Sequence, residues 1–479
     1  MQFVRGFFRM CVVVCPKWKV LRIIWGKVFW IIVVICGLCC ATYMTVLFWE
    51  RYISNPTRTT ILTSYAPVTT IPFPAVTICN INRIMVSKVE KFMNNLTLND
   101  TEEETIRSAL PQLLAFNYPN NIHYNMTKLK ILQDILVKND INDMSFVMSE
   151  ITQSCDEMLL SCSWEKKKVD CAEIFTKSLT ADGYCCSFNS GNSRSPSGIF
   201  TTYNGLLSSL VIVLNPMIQP VQYSSLHSSG IKVFIHDPTE YPGSQSTIKL
   251  ISVGRVAYFQ ILGTKIICSE DVKNLPMSHR HCLYPNEFKL KSFFEYSSSN
   301  CLSECVALRF HAYCKCVPFQ LAFVEAPICN ISSIPCLNDV RSKVSKFGGI
   351  NICDCPSQCE DNFYTILSTS SLFEYNLSKT LLSFNSSQID DYTVLLNVFF
   401  LDQRQTVYLR DIITSTIYLL SSFGGVYSLF MGCSLITIFE ILYYCIFRFV
   451  VNIKLIGKVE SDFDKTTSNK SQNTQIIHF

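Results

Sequence analysis

Two uncharged runs bracket this chain. No charged residue occurs from Val28 to Trp49, nor from Ile412 to Phe439, and an α-helix needs only ~20 apolar residues to cross ~30 Å of hydrocarbon. Each run predicts a membrane span. In the second, Gly424, Ser428 and Gly432 recur every four residues, a stripe of small side chains along which helices can approach closely. Gly432-Cys433-Ser434 falls at mid-membrane depth, where backbone leaves helical geometry only if it lines a protein-enclosed or watery cavity. Glu440 follows two turns later. An intramembrane carboxylate costs ~2.5–3.5 kcal/mol and faces a bundle interior or a water path. The simpler alternative is an anchor helix packed through its glycines, with Glu440 solvated near the cytosolic interface.

Between the runs the pattern is mixed. FPAVTICN, at residues 73–80, alternates Val76 and Ile78 against Thr77 and Cys79, which predicts a strand. Residues 99–116 read as a helix capped by Asn99 or Asp100, with Glu102, Glu103 and Glu104 in its first turn and Pro111 kinking or dividing it. Residues 120–142 predict a second amphipathic helix. Strand-like runs dominate residues 206–262, among them Leu210–Leu214 and Ile231–Ile235, with His236-Asp237-Pro238 as a turn. Asn300 is the expected cap of a helix over Cys301–His311, and Tyr392–Phe400 the expected last strand before the second span.

Residues 1–27 carry Arg5, Arg9, Lys17, Lys19, Arg22 and Lys27 and no acid, so the N-terminus is expected in the cytosol. A cleaved signal peptide would have an apolar region of ~7–15 residues and a small-x-small cleavage site; this run is longer and ends in Leu47-Phe48-Trp49. The domain reading is 1–27 cytosolic, 28–49 first transmembrane helix, 50–411 extracellular, 412–447 pre-pore segment and second transmembrane helix, and 448–479 cytosolic tail. The predicted outside segment contains glycosylation sequons at Asn95, Asn99, Asn125, Asn330, Asn376 and Asn385; a further one at Asn469 falls in the tail. The expected location is the plasma membrane, both termini inside.

Composition sharpens this. Hydrophobic residues make up 48% of 479 and net charge is +4. No basic run interleaved with aromatics suggests a nucleic-acid partner. Of 24 cysteines, 17 lie between Cys79 and Cys359, which implies an oxidising compartment for the middle of the chain. Cys301 and Cys305 on one helix sit about 6 Å apart along one face, and Cys353 and Cys355, if extended, about 6.6 Å apart, so two rungs joining them are geometrically easy. Zinc is the alternative for this cluster, although it favours CxxC pairs over CxC. Seventeen cysteines leave one odd, and Cys268 is the candidate free thiol. No nucleophile–base constellation is evident: the Ser190–Ser197 stretch and His279-Arg280-His281 read as surface turns. The chain is not expected to be an enzyme or to hold a metal or cofactor.

The residues now on the page resemble the degenerin/epithelial sodium channel superfamily, and within it the insect pickpocket branch. The resemblance rests on FPAVTICN, on Cys162, Cys171 and GYCCSFN at 183–189, on IHDPTEYP at 235–242, and on Arg280-His281-Cys282 with Glu287. The lattice at 301–359 and FGGVYSLFMGCSLITIFEILYY at 423–444 complete it. It implies an α+β membrane protein in which two transmembrane helices flank a large disulfide-rich extracellular domain, a β-rich palm and β-ball with helical finger, thumb and knuckle. It also implies bridges Cys79–Cys185, Cys162–Cys171, Cys282–Cys359, Cys301–Cys355, Cys305–Cys353, Cys314–Cys336 and Cys316–Cys329; Cys155 and Cys186 remain, candidates to pair with each other, and the resemblance does not fix their pairing or that of Cys268. By position in that family, Gly432, Cys433 and Ser434 are the selectivity filter and Ser428 the amiloride-type blocker site. Ser421 is the gating residue whose enlargement holds such channels open, and Glu440 lies at the inner mouth of the pore. A His-Gly pair found before the first span in such chains is missing here, which suggests an incomplete chain, a subunit reliant on partners, or altered opening.

The implied function is a subunit of a homo- or heterotrimeric, amiloride-sensitive, Na⁺-selective channel, gated through its extracellular domain by force or an extracellular ligand, with lipid around it and Na⁺ as permeant ion. The alternative is a non-conducting or regulatory membrane receptor of the same fold. A third class, the ATP-gated two-span channels, lacks support because their nucleotide-binding lysines and cysteine spacing are not found.

Overall fold

The structure is a computed structural model that describes residues 16–54, 56–116, 123–191, 198–221, 223–224, 226, 228–346, 353–374, 389–432 and 435–443. Asn376, Asn385, Cys433, Ser434, Asn469 and the tail lie outside the described residues. The chain divides into two units: Met1–Arg58 with Ile412–Phe479, and Thr59–Asp411.

In the first unit, helix α1 (Pro16–Ser54) runs 39 residues without interruption, and its Trp25–Ser54 portion is long and apolar enough to cross a bilayer. The second uncharged run behaves differently. It forms helix α8 (Thr416–Met431), which starts at Ser415, whose hydroxyl accepts from Tyr418 N–H, and stops at Gly432; the apolar helix α9 (Leu435–Leu442) follows.

Among the described residues the second unit carries two large sheets and a two-stranded one. Along the chain its strands are β1 (Thr57–Pro67), β2 (Ala75–Asn80), β3 (Leu159–Trp164), β4 (Lys167–Val169), β5 (Phe175–Thr180), β6 (Gly183–Phe188), β7 (Leu210–Leu214) and β8 (Gly230–His236). They continue with β9 (Thr247–Ser252), β10 (Arg255–Cys268), β11 (Cys282–Leu283), β12 (Ser357–Gln358), β13 (Asp361–Leu372), β14 (Val394–Phe400) and β15 (Arg404–Ile412). The larger sheet has the order β1-β15-β10-β14-β7-β3-β4, with β13 also on β10. The 14-residue β10 is its spine: it pairs in parallel first with β14 and then with β15, and antiparallel with β13 along nearly its whole length. The smaller sheet, β5-β6-β2-β8-β9, is antiparallel throughout.

Phe73 sits where the sheets meet, its ring edge-on to Trp164, Phe188 and Phe400 at 5.0, 5.9 and 5.6 Å. Val76 and Ile78 join that core. The opposite face of β2 is buried as well, so the expected alternation separates apolar from polar contacts rather than inside from outside. There Thr77 Oγ meets Ser187 Oγ at 2.6 Å and His236 Nε2 at 3.0 Å. Nearby, one buried carboxylate, Asp182, faces both Arg83 and Lys232, at 2.7 and 2.6 Å.

Helices α2 (Val86–Asn94), α3 (Asp100–Ala109), α4 (Met126–Lys138) and α5 (Met144–Ile151) form a second core with parts of α6 (Ser298–Cys314) and α7 (Ile334–Lys346). Asn99 caps α3 in a reciprocal box with Glu102, and at Pro111 the helix has given way to a 3-10 segment, Leu110–Phe116. Asn125 caps α4, its Oδ1 accepting from Thr127 and Lys128 N–H. Asn330 opens a 3-10 turn and accepts from Ser333 Oγ at 2.9 Å. These three asparagines and Asn95 are exposed.

Three expectations are corrected. The cap of α6 is Ser297, three residues before the expected one, and Asn300 lies inside the helix. Its amide instead ties α6 to the turn after β8, accepting from Tyr241 N–H and donating to Thr239 O at 2.8 and 3.0 Å. Tyr392–Phe400 is not the last strand, because β15 follows. Cys353 and Cys355 lie in irregular chain ahead of β12 rather than in a strand.

His236 yields a test. Its Nδ1 lies 2.9 Å from the Asp237 carbonyl, so Nδ1 carries the proton and Nε2 accepts from Thr77. Burial pushes its pKa from 6.5 to about 4. A depressed cationic group contributes stability above its unfolded pKa and loses it as pH falls through the folded one. We expect His236 itself to withdraw about 3 kcal/mol of stability from the second unit between pH 6.5 and 4, read as the difference in pH dependence between the unaltered chain and His236→Gln in denaturant unfolding under near-ultraviolet circular dichroism.

Candidate functional site

The candidate site is the α1–α8 helix pair with the break after it. Two small residues of α1 set the approach. Ala41 is fully buried, and a Cβ on Gly37 would lie 3.0 Å from the Phe430 carbonyl oxygen and 3.6 Å from Met431 Sδ. On α8 the side chains that turn inward are Leu419 and Val426, seven positions apart and each 8% exposed. At 3.6 residues per turn, Ser421, Gly424, Gly425 and Ser428 fall on roughly the opposite face. They are exposed in the single chain, and a Cβ at Gly424, Gly425 or Gly432 would meet nothing within 4 Å. The small-residue stripe is therefore not the seam between the chain's own helices. Gly37 and Ala41 make that seam, and the stripe faces away from it.

Gly432 ends α8 in the left-handed conformation, φ 64° and ψ 17°, and its N–H returns to Ser428 O at 3.0 Å. Glycine is the residue that takes this geometry without a Cβ penalty. A helix C-terminus concentrates carbonyl oxygens and about half a negative charge, which favours a cation beside it. Ser421 and Ser428 thus sit on the open stripe and Gly432 at its lower end, while Glu440 is exposed on α9. Cys433 and Ser434 lie outside the described residues.

In the extracellular unit, eight disulfides join Cys79–Cys185, Cys155–Cys186, Cys162–Cys171, Cys282–Cys359, Cys301–Cys355, Cys305–Cys353, Cys314–Cys336 and Cys316–Cys329. The dense cluster is therefore bonded in pairs, which leaves no thiolate there for zinc. Two rungs fasten α6 to the chain ahead of β12, and Cys314–Cys336 fastens its end to α7. Cys268 is free; it donates to the Cys359 carbonyl at 3.2 Å, and burial raises its pKa, which disfavours the nucleophilic thiolate. Arg280 is not a surface residue. It is buried, donates to the carbonyls of Cys282 and Leu275 at 3.0 and 3.1 Å, and pairs with Glu287, which shapes the turn leading into the Cys282–Cys359 bridge.

The chain matches the family described as amiloride-sensitive sodium channel over residues 7–444. It is 27% identical to sodium channel protein Nach of Drosophila melanogaster over 94% of this chain and 90% of that protein. It is 26% identical to pickpocket protein 28 of the same species, over 79% and 67%. With the human bile acid-sensitive ion channel the identity is 27%, over 88% and 81%.

The helix seam is directly testable. Gly37→Val should destabilise the α1–α8 pair by about 1–3 kcal/mol through overpacking, read as a shift in unfolding of the solubilised chain in a denaturing-detergent titration. Gly424→Ala should leave it unchanged or slightly raised.

Proposed function

We propose, from the premise that this chain belongs to the amiloride-sensitive sodium channel family, within the degenerin/epithelial sodium channel superfamily and with pickpocket affinity, that it forms one third of a Na⁺-selective pore. It is a membrane-embedded channel subunit with a disulfide-rich, β-rich extracellular domain, and it is not an enzyme. In the proposed assembly, α1 and α8–α9 are the two spans, residues 50–411 are extracellular in palm, β-ball, finger, thumb and knuckle arrangement, and both termini are cytosolic.

The observation that carries the reading is the orientation of α8. Its small residues face away from α1, so in a threefold assembly with its own kind or related subunits they turn to the axis, where small side chains leave room for ions. At Gly432 the helix end brings carbonyl oxygens to that axis. With Cys433 and Ser434 they form the proposed filter, in which oxygen replaces part of the hydration shell of a hard monovalent cation. No cofactor is required. Ser428, one turn above, is the proposed level of block by amiloride. Ser421, two turns higher still, is where a bulky side chain would wedge the three helices apart. Glu440 adds negative charge at the inner mouth. Disulfides bracing the extracellular unit transmit a ligand or a pull to these helices as a stiff body.

The test is voltage-clamp recording of the chain expressed alone and with related subunits, with surface delivery verified. Ser421→Trp should raise the open-to-closed ratio about tenfold or more, equivalent to about 1.4 kcal/mol. The resulting current should be carried by Na⁺ in preference to K⁺ and be blocked by amiloride, with block weakened by Ser428→Leu. Surface-expressed chains silent in every combination would instead identify a non-conducting receptor or regulatory subunit.

A further inference from the structure

A cavity of about 240 Å³ lies within the extracellular unit, lined by β5, the turn after β8 and the segment ahead of α6. Its walls are aromatic: Phe323 packs against both Tyr241 and Phe293, each pair of ring centroids 4.9 Å apart. Phe294, 65% exposed, also lines it. Among its polar lining groups is Glu240, whose charged form is favoured by the nearby Ser299 and Ser297 hydroxyls. Among the described residues no cation is one of the groups that favour its charged form, and the neighbouring carboxylates Asp237 and Asp361 oppose that form. The one lysine on the lining, Lys177, is committed elsewhere: its Nζ lies 4.5 Å from the centre of the Tyr184 ring and bonds Ser149 Oγ. Glu295 adds a second acid to the lining.

A partly buried acid with no countercharge among the described residues, beside several aromatic rings, defines its complement. An anion would enter a field set by carboxylates, and a neutral apolar molecule would desolvate Glu240 with no return. A cation gains both the carboxylate and the negative ring faces, and cation–π attraction strengthens as the pair is desolvated. At about 240 Å³ the cavity lies below the ~300–1,000 Å³ of sites for drug-sized ligands, so its ligand is small. We propose that this cavity binds a small organic cation, an ammonium or guanidinium on a short or aromatic body, with its charge against Glu240 and its body among Tyr241, Phe293 and Phe323. The proposal concerns binding alone and does not depend on the chain conducting ions.

The surrounding groups fix the pH dependence. Burial and the two aspartates push Glu240 up to about 7, and Asp361 is raised to about 6; both gain charge between pH 6 and 8, which favours a cation. His236, at about 4, stays neutral over that range, and Tyr241 and Tyr364 are held protonated by burial.

The experiment is isothermal titration calorimetry of the full chain in lipid nanodiscs, with empty nanodiscs as the blank, benzylamine as probe and benzyl alcohol as its neutral counterpart. Benzylamine should bind at pH 8 and about tenfold more weakly at pH 6, as the carboxylate falls from about nine-tenths to about one-tenth ionised. Benzyl alcohol should bind at least about tenfold more weakly than the amine at pH 8, with no such pH dependence. Glu240→Gln should remove both the amine's advantage and the pH effect. Equal affinity for amine and alcohol, no amine binding at millimolar concentration, pH-independent affinity, or full affinity in Glu240→Gln would each overturn the proposal. The pH comparison on the unaltered chain stands even if the variant does not fold.

Discussion

Hydrocarbon offers backbone carbonyls no hydrogen-bond donor, and α8 ends in such carbonyls. An uninterrupted helix like α1 satisfies its own backbone and can lie in lipid alone. A helix that stops at a left-handed Gly432 leaves the regular ladder there, and in lipid the carbonyl oxygens of such an end call for polar company. In the proposed assembly the partner is an ion with its residual water, reached only if several such ends converge. In that assembly the break, the open small-residue stripe and the convergence of several chains answer one need, polar company for the oxygens at a helix end.

The extracellular unit shows a complementary economy. Its two largest cores, one between sheets and one among helices, are supplemented by covalent links. Cys79–Cys185 and Cys282–Cys359 close loops of 106 and 77 residues, the long-loop range in which a bridge restricts the unfolded chain most. The rungs on α6 do a more local job. They fix a helix whose cap, Ser297, and whose inner Asn300 both reach toward the turn after β8, so that helix and turn move as one piece.

How much of this was legible in the sequence varied with the range of the interaction. Asn99, the division of its helix at Pro111, and strands β2, β7 and β8 follow from local propensity and were readable. Asn300 was mistaken for a cap because Ser297 and Asn300 are both good caps one turn apart, and only a tertiary contact with Tyr241 distinguishes them. The strand β15 was missed because Arg404, Arg410 and Asp411 give it the look of a polar linker, whereas its parallel pairing with β10 is set by residues about 140 positions earlier. The stripe of Gly424, Ser428 and Gly432 is plain in the sequence, but the direction it faces depends on Gly37 and Ala41 in α1. No local pattern singles out Glu240, because its environment is made largely by serines and aromatic rings some fifty to eighty residues downstream.

The exposed asparagine caps described above carry a geometric corollary. Asn125 anchors its helix through Oδ1, and Asn330 likewise uses Oδ1, leaving the amide nitrogen as the atom to which a sugar would attach. Glycosylation there would leave the cap intact while surrounding that flank with mobile, hydrated carbohydrate. No subunit could press against it, and such decoration would mark the outer rim of the molecule.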